Sequence, residues 1–337
     1  MKKHSCFALV FWLFQHQKKQ NDSDLKFYLN PTRNVIFEIC LFLYQPVYMN
    51  FTKQYLKHHP KTVYSVSLHA ILPLLATCSA DNPFIILYDI TTCPPTIQNT
   101  LKDHTNDHVS CVVFHPTLLL LATSSSDHTT SIYNIATSQP TKQHHLKDHT
   151  ELINCIAFHP SVPLLATSSC DTTVILYDLT AEPATLQHRF KNHLNCDAVA
   201  FHPHLLILAS GSSCTFLMLY DISVLPPTIK YHVHTDDVDL VNCIVFHPTL
   251  PFLAIGSEDA FTELYNISAL SPPSSTLPSS TLPSSTPSSL SLTAKYRFQH
   301  HDDTINSVMF HNTLQLLATG SYDNTIILYD LTILPPS

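Results

Sequence analysis

The hexapeptide CVVFHP at residues 111–116 returns as CIAFHP at 155–160 and CIVFHP at 243–248, and its last three letters recur at 201–203. Weaker copies stand at 65–69 (SVSLH) and 307–311 (SVMFH). The residue before each His is Leu68, Phe114, Phe158, Phe201, Phe246 or Phe310, a spacing of 43 to 46 residues until the last interval of 64. The excess there is residues 271–291, built from Ser, Thr, Leu and Pro, which has too little apolar surface to pack and too many prolines for a sheet. Read as a solvated loop and set aside, it leaves a regular array with a period of about 40–45 residues, the length of one propeller blade.

Each unit continues in the same way. In the second, the apolar run at 119–123 is followed by a polar turn around Asp127, a segment ending Ile132-Tyr133-Asn134, and a fourth candidate strand at 141–146. Short β-branched and apolar runs between turn residues are strands, and four per unit make a blade. Only three glycines occur (Gly211, Gly256, Gly320), so the turns must be made by Ser, Asn, Asp and Pro. The 45% apolar composition is ample for a large core.

At this point the units resemble the WD-repeat family. The resemblance rests on a His before the first strand (His59, His104, His149, His193, His234, His301), an Asp in the turn after the second (Asp81, Asp127, Asp171, Asp259, Asp323), and an aromatic-acid or aromatic-amide pair closing the third. That pair is Tyr-Asp or Tyr-Asn throughout, never Trp-Asp, and Cys214 replaces the turn Asp in the fourth unit. The resemblance implies an all-β propeller of six recognisable four-stranded blades over residues 51–337, or seven if residues 5–50 form a degenerate blade.

Residues 1–50 read as an N-terminal extension, and Val35, Ile36, Ile39, Cys40 and Leu43 fall at helical spacing. Ring closure is expected from the segment 51–57, which resembles 141–147 and would complete the last blade.

In the family the loop His, a strand hydroxyl, the turn Asp and the third-strand aromatic form a hydrogen-bonded chain. The resemblance therefore implies a structural network at His104, Asp127 and Tyr133, at His149, Asp171 and Tyr177, and at His301, Asp323 and Tyr329. Ser, His and Asp recurring in every unit argue against a catalytic triad, which needs one activated nucleophile in one cleft. No catalytic, cofactor or metal site is read. The clusters His232, His234, Asp236, Asp237 and His300, His301, Asp302, Asp303 are ligand types at short spacing but match no ligand pattern. Cys111, Cys155 and Cys243 share a register that holds Ser65, Ala198 or Ser307 elsewhere, so they read as small packing residues. Cys214 is expected to leave the fourth blade's network incomplete and that blade the least rigid.

The net charge of −8 with 17 Lys and Arg excludes a general attraction to nucleic acid or to acidic membranes. The apolar run at 6–14 follows Lys2 and Lys3 like the start of a signal peptide, but no small-residue cleavage site follows, and it falls short of the ~20 residues that span a bilayer. Reduced, buried cysteines imply a cytoplasmic or nuclear location.

Function in such a ring resides in loops. By the family's topology the rim formed before first strands and after second strands offers Asn106, Asp107, His108, Glu151, Asn195, Asp236, Asp237, Glu258, Phe261, Asp302, Asp303 and Tyr322. Its acidic character suits a basic protein segment or peptide. The expected function is a non-enzymatic protein-interaction scaffold. The second reading is a ubiquitin-ligase substrate adaptor, because residues 29–43 resemble an F-box.

Overall fold

The structure, a computed structural model, describes residues 27–28, 39–40, 53–54, 56, 58–59, 62–80, 82–105, 108–191, 196–212, 216–234, 240–270, 294–311 and 315–332. Six four-stranded antiparallel sheets follow one another along the chain. Blade 1 is β4 (Val63–Leu68), β5 (Leu74–Ser79), β6 (Asn82–Asp89) and β7 (Thr96–Leu101). Blade 2 is β8 (Val109–Phe114), β9 (Leu120–Ser125), β10 (Thr130–Asn134) and β11 (Thr141–Leu146). Blade 3 is β12 (Ile153–Phe158), β13 (Leu164–Ser169), β14 (Val174–Asp178) and β15 (Thr185–Phe190). Blade 4 is β16 (Cys196–Phe201), β17 (Ile207–Ser212), β18 (Phe216–Asp221) and β19 (Thr228–His234). Blade 5 is β20 (Val241–Phe246), β21 (Phe252–Ser257), β22 (Thr262–Asn266) and β23 (Ala294–Phe298). Blade 6 has β24 (Ile305–Phe310), β25 (Leu316–Ser321) and β26 (Thr325–Asp330).

The second strand of each of blades 1, 3, 4 and 5 is buried along its whole length, as a strand covered on both faces must be. The fourth strands lie outermost: in β7 and β11 the first three residues are exposed and the last, Leu101 or Leu146, is buried. The FHP block works at the junctions between blades. His115 Nδ1 accepts the amides of Thr117 and Leu118 at 3.1 and 2.9 Å, closing the turn, and its ring lies 5.0 Å from Phe158 of the next blade. His69–Phe114, His159–Phe201, His202–Phe246 and His247–Phe310 repeat the contact at 4.8 to 5.2 Å. Burial pushes the imidazole pKa down at His69, His115, His159, His202, His247 and His311.

The register of the first strand shifts at the same place in every blade, as between Val109 and Cys111 or Ile153 and Cys155. The bulged residue is thereby freed to reach the next blade. Asn154 Nδ2 donates to the Cys196 carbonyl at 3.0 Å, Asn242 Nδ2 to the Ile305 carbonyl at 3.3 Å, and Ser110 Oγ to the Ile153 carbonyl. Cys111, Cys155 and Cys243 are buried free thiols. Burial pushes the Cys243 thiol up to about 12, and the Cys155 contact together with burial pushes Cys111 up, so both stay protonated.

Scarce glycine has a visible consequence. The residue after the turn Asp adopts the left-handed backbone conformation at His128 (φ 67°), Thr172 (70°), Ala260 (68°) and Asn324 (65°).

The sixth blade corrects the expected closure. Its fourth strand is β1 (Phe27–Tyr28), with Phe27 opposite Ile326 and Tyr28 opposite Thr325. The segment expected to fill that place instead contributes β3 (Lys53–Gln54), which pairs with β2 (Ile39–Cys40). Its continuation is committed to blade 1, where His59 Nε2 meets Thr77 Oγ1 at 2.7 Å and His58 Nδ1 meets the Tyr88 hydroxyl at 3.1 Å. Ile39 and Cys40, placed at helical spacing, are in a strand, as the β-branched neighbours Val35 and Ile36 allow. The remainder of the F-box-like stretch 29–43 and the insertion 271–291 lie outside the described residues.

Candidate interaction rim and the polar networks beneath it

The loop entering each blade and the turn after its second strand meet at one end of the disc. A backbone hydrogen bond joins them in five blades: Ala80 to Thr62, Ser126 to His108, Cys170 to Leu152, Glu258 to Leu240 and Tyr322 to Thr304, at 2.8 to 3.0 Å. This pairing holds the rim loops in place.

Beneath the rim lie the polar chains. His104 Nδ1 is 3.1 Å from Asp127 and its Nε2 is 2.9 Å from Thr123 Oγ1. His149 is 2.7 Å from both Asp171 and Thr167, and His301 is 2.8 Å from both Asp323 and Thr319. A carboxylate only accepts, so Nδ1 carries the proton, and Nε2 of the neutral ring accepts from the Thr hydroxyl. Burial opposes ionisation of Asp127, Asp171 and Asp323, yet hydrogen bonds from the paired His and from Thr129, Thr173 or Thr325 outweigh it and hold each carboxyl below its ordinary range. Burial lowers the pKa of His149 and His301 although their carboxylate partners pull the other way. Thr123, Thr167 and Thr319 are fully buried, so no substrate reaches these hydroxyls.

The third-strand aromatic adjoins this chain, the Tyr88 and Tyr329 hydroxyls lying against the strand hydroxyls of Thr77 and Thr319. The Tyr88 and Tyr329 hydroxyls meet His58 and His300, the residues just before the loop His, at 3.1 and 3.4 Å. Asp103 and Asp148 occupy that register near Tyr133 and Tyr177, where burial first and these carboxylates second push the phenol pKa up. The strand hydroxyl is Thr, while Ser125, Ser169 and Ser321 accept the amide of the turn Asp at 3.1 Å.

Blade 5 departs from the pattern. Ile255 stands where other blades carry the hydroxyl, and Glu263 lies opposite Arg297 in the ladder. Glu263 is buried, accepts from the Tyr265 hydroxyl at 2.5 Å, and lies 3.5 Å from Arg297, whose guanidinium sits 3.7 Å from the Phe261 ring centroid and 3.7 Å from Asp259. Sequence reading did not single out Glu263 or Arg297. The available signal was a charge in a third-strand register that holds Ile86, Ile175, Met218 and Ile327 in other blades.

Of the rim residues, Glu151, Asp302 and Asp303 are exposed, and His108, Glu258 and Phe261 are half-buried. Tyr322 is 43% exposed. The Asp302 amide donates to Asp323 at 3.1 Å and the Asp303 carbonyl accepts from Ser321 at 2.8 Å, which ties rim to network. The His108 ring rests edge-on against Tyr64, 5.2 Å away. Asn106, Asp107, Asn195, Asp236 and Asp237 lie outside the described residues, as does the Cys214 turn. Among the described residues no three His, Cys, Asp or Glu side chains converge as a metal site requires. The opposite rim carries exposed apolar side chains that sequence reading took for structural turns: Ile71 (75%), Leu118, Leu119, Val224 and Leu225 (67%).

The family described as WD domain, G-beta repeat matches at residues 95–134, 140–178, 226–266 and 292–330. The units ending at Asp89 and Asp221 are unmatched, and the latter holds Cys214. A search of curated proteins finds no match. Among solved structures, a chain of "Crystal Structure of Mitotic Checkpoint Complex" is similar with a TM-score of 0.68 and 15% identity, covering 83% of this chain and 81% of that one. An identity that low speaks for the fold alone. Four matched repeats, six propeller blades, and His, Thr and Asp in register in blades 2, 3 and 6 place the chain in the WD-repeat propeller family.

Proposed function

We propose that the chain is a non-catalytic protein-interaction scaffold whose acidic rim receives a basic segment of a partner protein. The observation that supports this most is the set of carboxylates Glu151, Asp302 and Asp303, exposed at one end of the disc on loops anchored to the strands. Fixed carboxylates lose little freedom on binding and steer a cationic partner towards the rim. Tyr322 and the Arg297-backed Phe261 add aromatic surface of the kind enriched at interfaces. The similar solved chain comes from a mitotic checkpoint complex, and membership of a complex accords with a scaffold. The His–Thr–Asp chains of blades 2, 3 and 6 brace their wedges and perform no chemistry, and the reduced cysteines suit the cytosol or nucleus.

The test is a chain carrying Glu151→Gln, Glu258→Gln, Asp302→Asn and Asp303→Asn. Its affinity for a partner isolated with the wild-type chain should fall at least tenfold at low salt, with a weaker salt dependence than wild type. Unchanged affinity and salt slope would remove the proposal.

A further inference from the structure

Two of the outermost strands begin alike. Cys93-Pro94-Pro95-Thr96-Ile97 leads along β7 and Leu225-Pro226-Pro227-Thr228-Ile229 along β19, but the next two residues are Gln98-Asn99 in blade 1 and Lys230-Tyr231 in blade 4. The ladders give both pairs the same place. Thr96 lies opposite Asp89 and Asn99 opposite Leu87, as Thr228 lies opposite Asp221 and Tyr231 opposite Leu219.

Blade 4 uses its pair at the junction with blade 5. The Tyr231 ring is 6% exposed and shares one apolar cluster with Ile207, Leu219 and Ile267, while its hydroxyl donates to the Ala269 carbonyl at 3.5 Å. Lys230 Nζ lies 3.5 Å from Asp221 Oδ2. The register of Tyr231 carries a ring in blades 2, 3 and 5 as well: His144, His188 and Tyr296. Of these, His144 Nδ1 accepts the Ala184 amide of blade 3 at 3.1 Å.

Blade 1 has neither the ring nor the cation, and a cavity of about 260 Å³ opens there between blades 1 and 2. Leu74, Leu87 and Ile135 line it in the positions that Ile207, Leu219 and Ile267 hold around Tyr231. Asp89, Asn99 and Thr137 are also on its wall, and no Lys or Arg is among the residues that line it. Thr91 donates its amide and hydroxyl to Asp89 Oδ1 at 2.8 and 2.6 Å, and these bonds hold the carboxyl below its ordinary range. Thr137 follows Ile135 as Ala269 follows Ile267, so a carbonyl stands where the Tyr231 hydroxyl finds its acceptor. Pro140 takes the place of Ala184 and has no N–H, and Asn99 Oδ1 is buried without a hydrogen-bond partner among the described residues. The cavity therefore suits a ring that donates, as a phenol does, over one that accepts. An apolar cavity of roughly 150 Å³ takes up benzene, so the space here admits a phenol.

We propose that this cavity is a docking site for a partner protein that presents a tyrosine beside a lysine or arginine, the phenol taking the place of Tyr231 and the cation that of Lys230. A tyrosine seated in a preformed pocket is a common anchor of protein interfaces, and the Asp89 carboxylate selects a basic neighbour. The site belongs to the rim opposite Glu151, Asp302 and Asp303, so it serves a second partner and does not rest on the reading given for the acidic rim.

The test follows the methyl NMR signals of Leu72, Leu87 and Ile135 in the full chain, with the N-acetylated dipeptide amides Lys-Tyr, Lys-Ala and Glu-Tyr as probes. Lys-Tyr should shift these methyls saturably, Glu-Tyr should bind severalfold more weakly, and Lys-Ala should leave them unmoved. Gln98→Lys with Asn99→Tyr supplies the blade 4 pair from the chain itself, and it should raise the Tm and abolish the response. If that variant does not fold, Asp89→Asn, which keeps the acceptor for Thr91, should still bind Lys-Tyr but no longer prefer it to Glu-Tyr. No saturable shift in the wild-type chain, an equal response to Lys-Ala, or an undiminished response in the filled variant would overturn the proposal. So would methyl shifts that grow with the concentration of the chain alone, which would seat a second copy in the cavity.

Discussion

Mild acid should loosen the ring before it touches the carboxylates. His115 is 1% exposed, its Nδ1 accepts two turn amides, and its ring meets Phe158. Burial first, and the His159 imidazole second, depress its pKa from 6.5 to about 4. The unfolded chain binds a proton near pH 6.5 that the folded chain refuses until about pH 4. The stabilisation is therefore complete above pH 6.5 and lost as pH falls through 4. At about 1.4 kcal/mol per pH unit, this window of roughly 2.5 units is worth about 3 kcal/mol at His115 alone. His69, His159, His202, His247 and His311 shift in the same direction, against a typical whole-domain stability of about 5–15 kcal/mol. Asp127, Asp171 and Asp323 titrate below the ordinary carboxylate range, so the interval between pH 6.5 and 4.5 isolates the histidines. Urea unfolding at pH 7.5, 6.5, 5.5 and 4.5 should show flat stability above 6.5 and a steep fall below. His115→Asn, which still offers an acceptor but no titration, should reduce the slope by up to about 1.4 kcal/mol per pH unit. Stability that stays level to pH 4.5, or an unaltered slope in the variant, would refute the reasoning.

Three further outcomes can be measured by thermal or urea unfolding. Thr172 is exposed at φ 70°, so Thr172→Gly relieves about 1–2 kcal/mol of left-handed strain, less about 0.4–1 kcal/mol of unfolded-chain entropy. A net gain of about 0.5–1 kcal/mol is expected, and a lower Tm would contradict it. Gly256→Ala drives a methyl to 2.5 Å from Ile305 and 2.8 Å from Cys243 and Val308, and should cost about 1–3 kcal/mol. Gly320→Ala, with its nearest neighbour at 4.0 Å, should be tolerated, and equal losses in the two would contradict the packing assigned to them. Asp171→Ala removes the acceptor for His149, for the Thr150 and Thr173 amides and for the Thr173 hydroxyl, and should cost about 3 kcal/mol. A loss below 0.5 kcal/mol, on the scale of an ordinary surface substitution, would show the chain to be idle.

The blades were legible because each carries its signals locally: FHP makes a turn and a junction contact, and the residues around the turn Asp make the hairpin. Closure was less legible. Residues 51–57 look like a fourth strand and lead to Leu56 in that strand's register, but which edge they join depends on a contact between the two ends of the chain, and similarity to 141–147 says nothing of that. The further partners of the tyrosine hydroxyls went unread for a related reason, since the family pattern names the aromatic but not the residue before the loop His, where Asp103, Asp148, His58 and His300 stand. Glu263 and Arg297 escaped because their partnership crosses strands separated by the 271–291 insertion.

Binding at the acidic rim is tested most directly by amide exchange of the wild-type chain with and without its bound partner. Protection should concentrate in the turns 126–129, 170–173, 258–261 and 322–324, with residues 70–73 and 117–119 of the opposite rim unchanged. Protection confined to 70–73, 117–119 and 224–225 would place the partner on the exposed apolar turns and contradict the account.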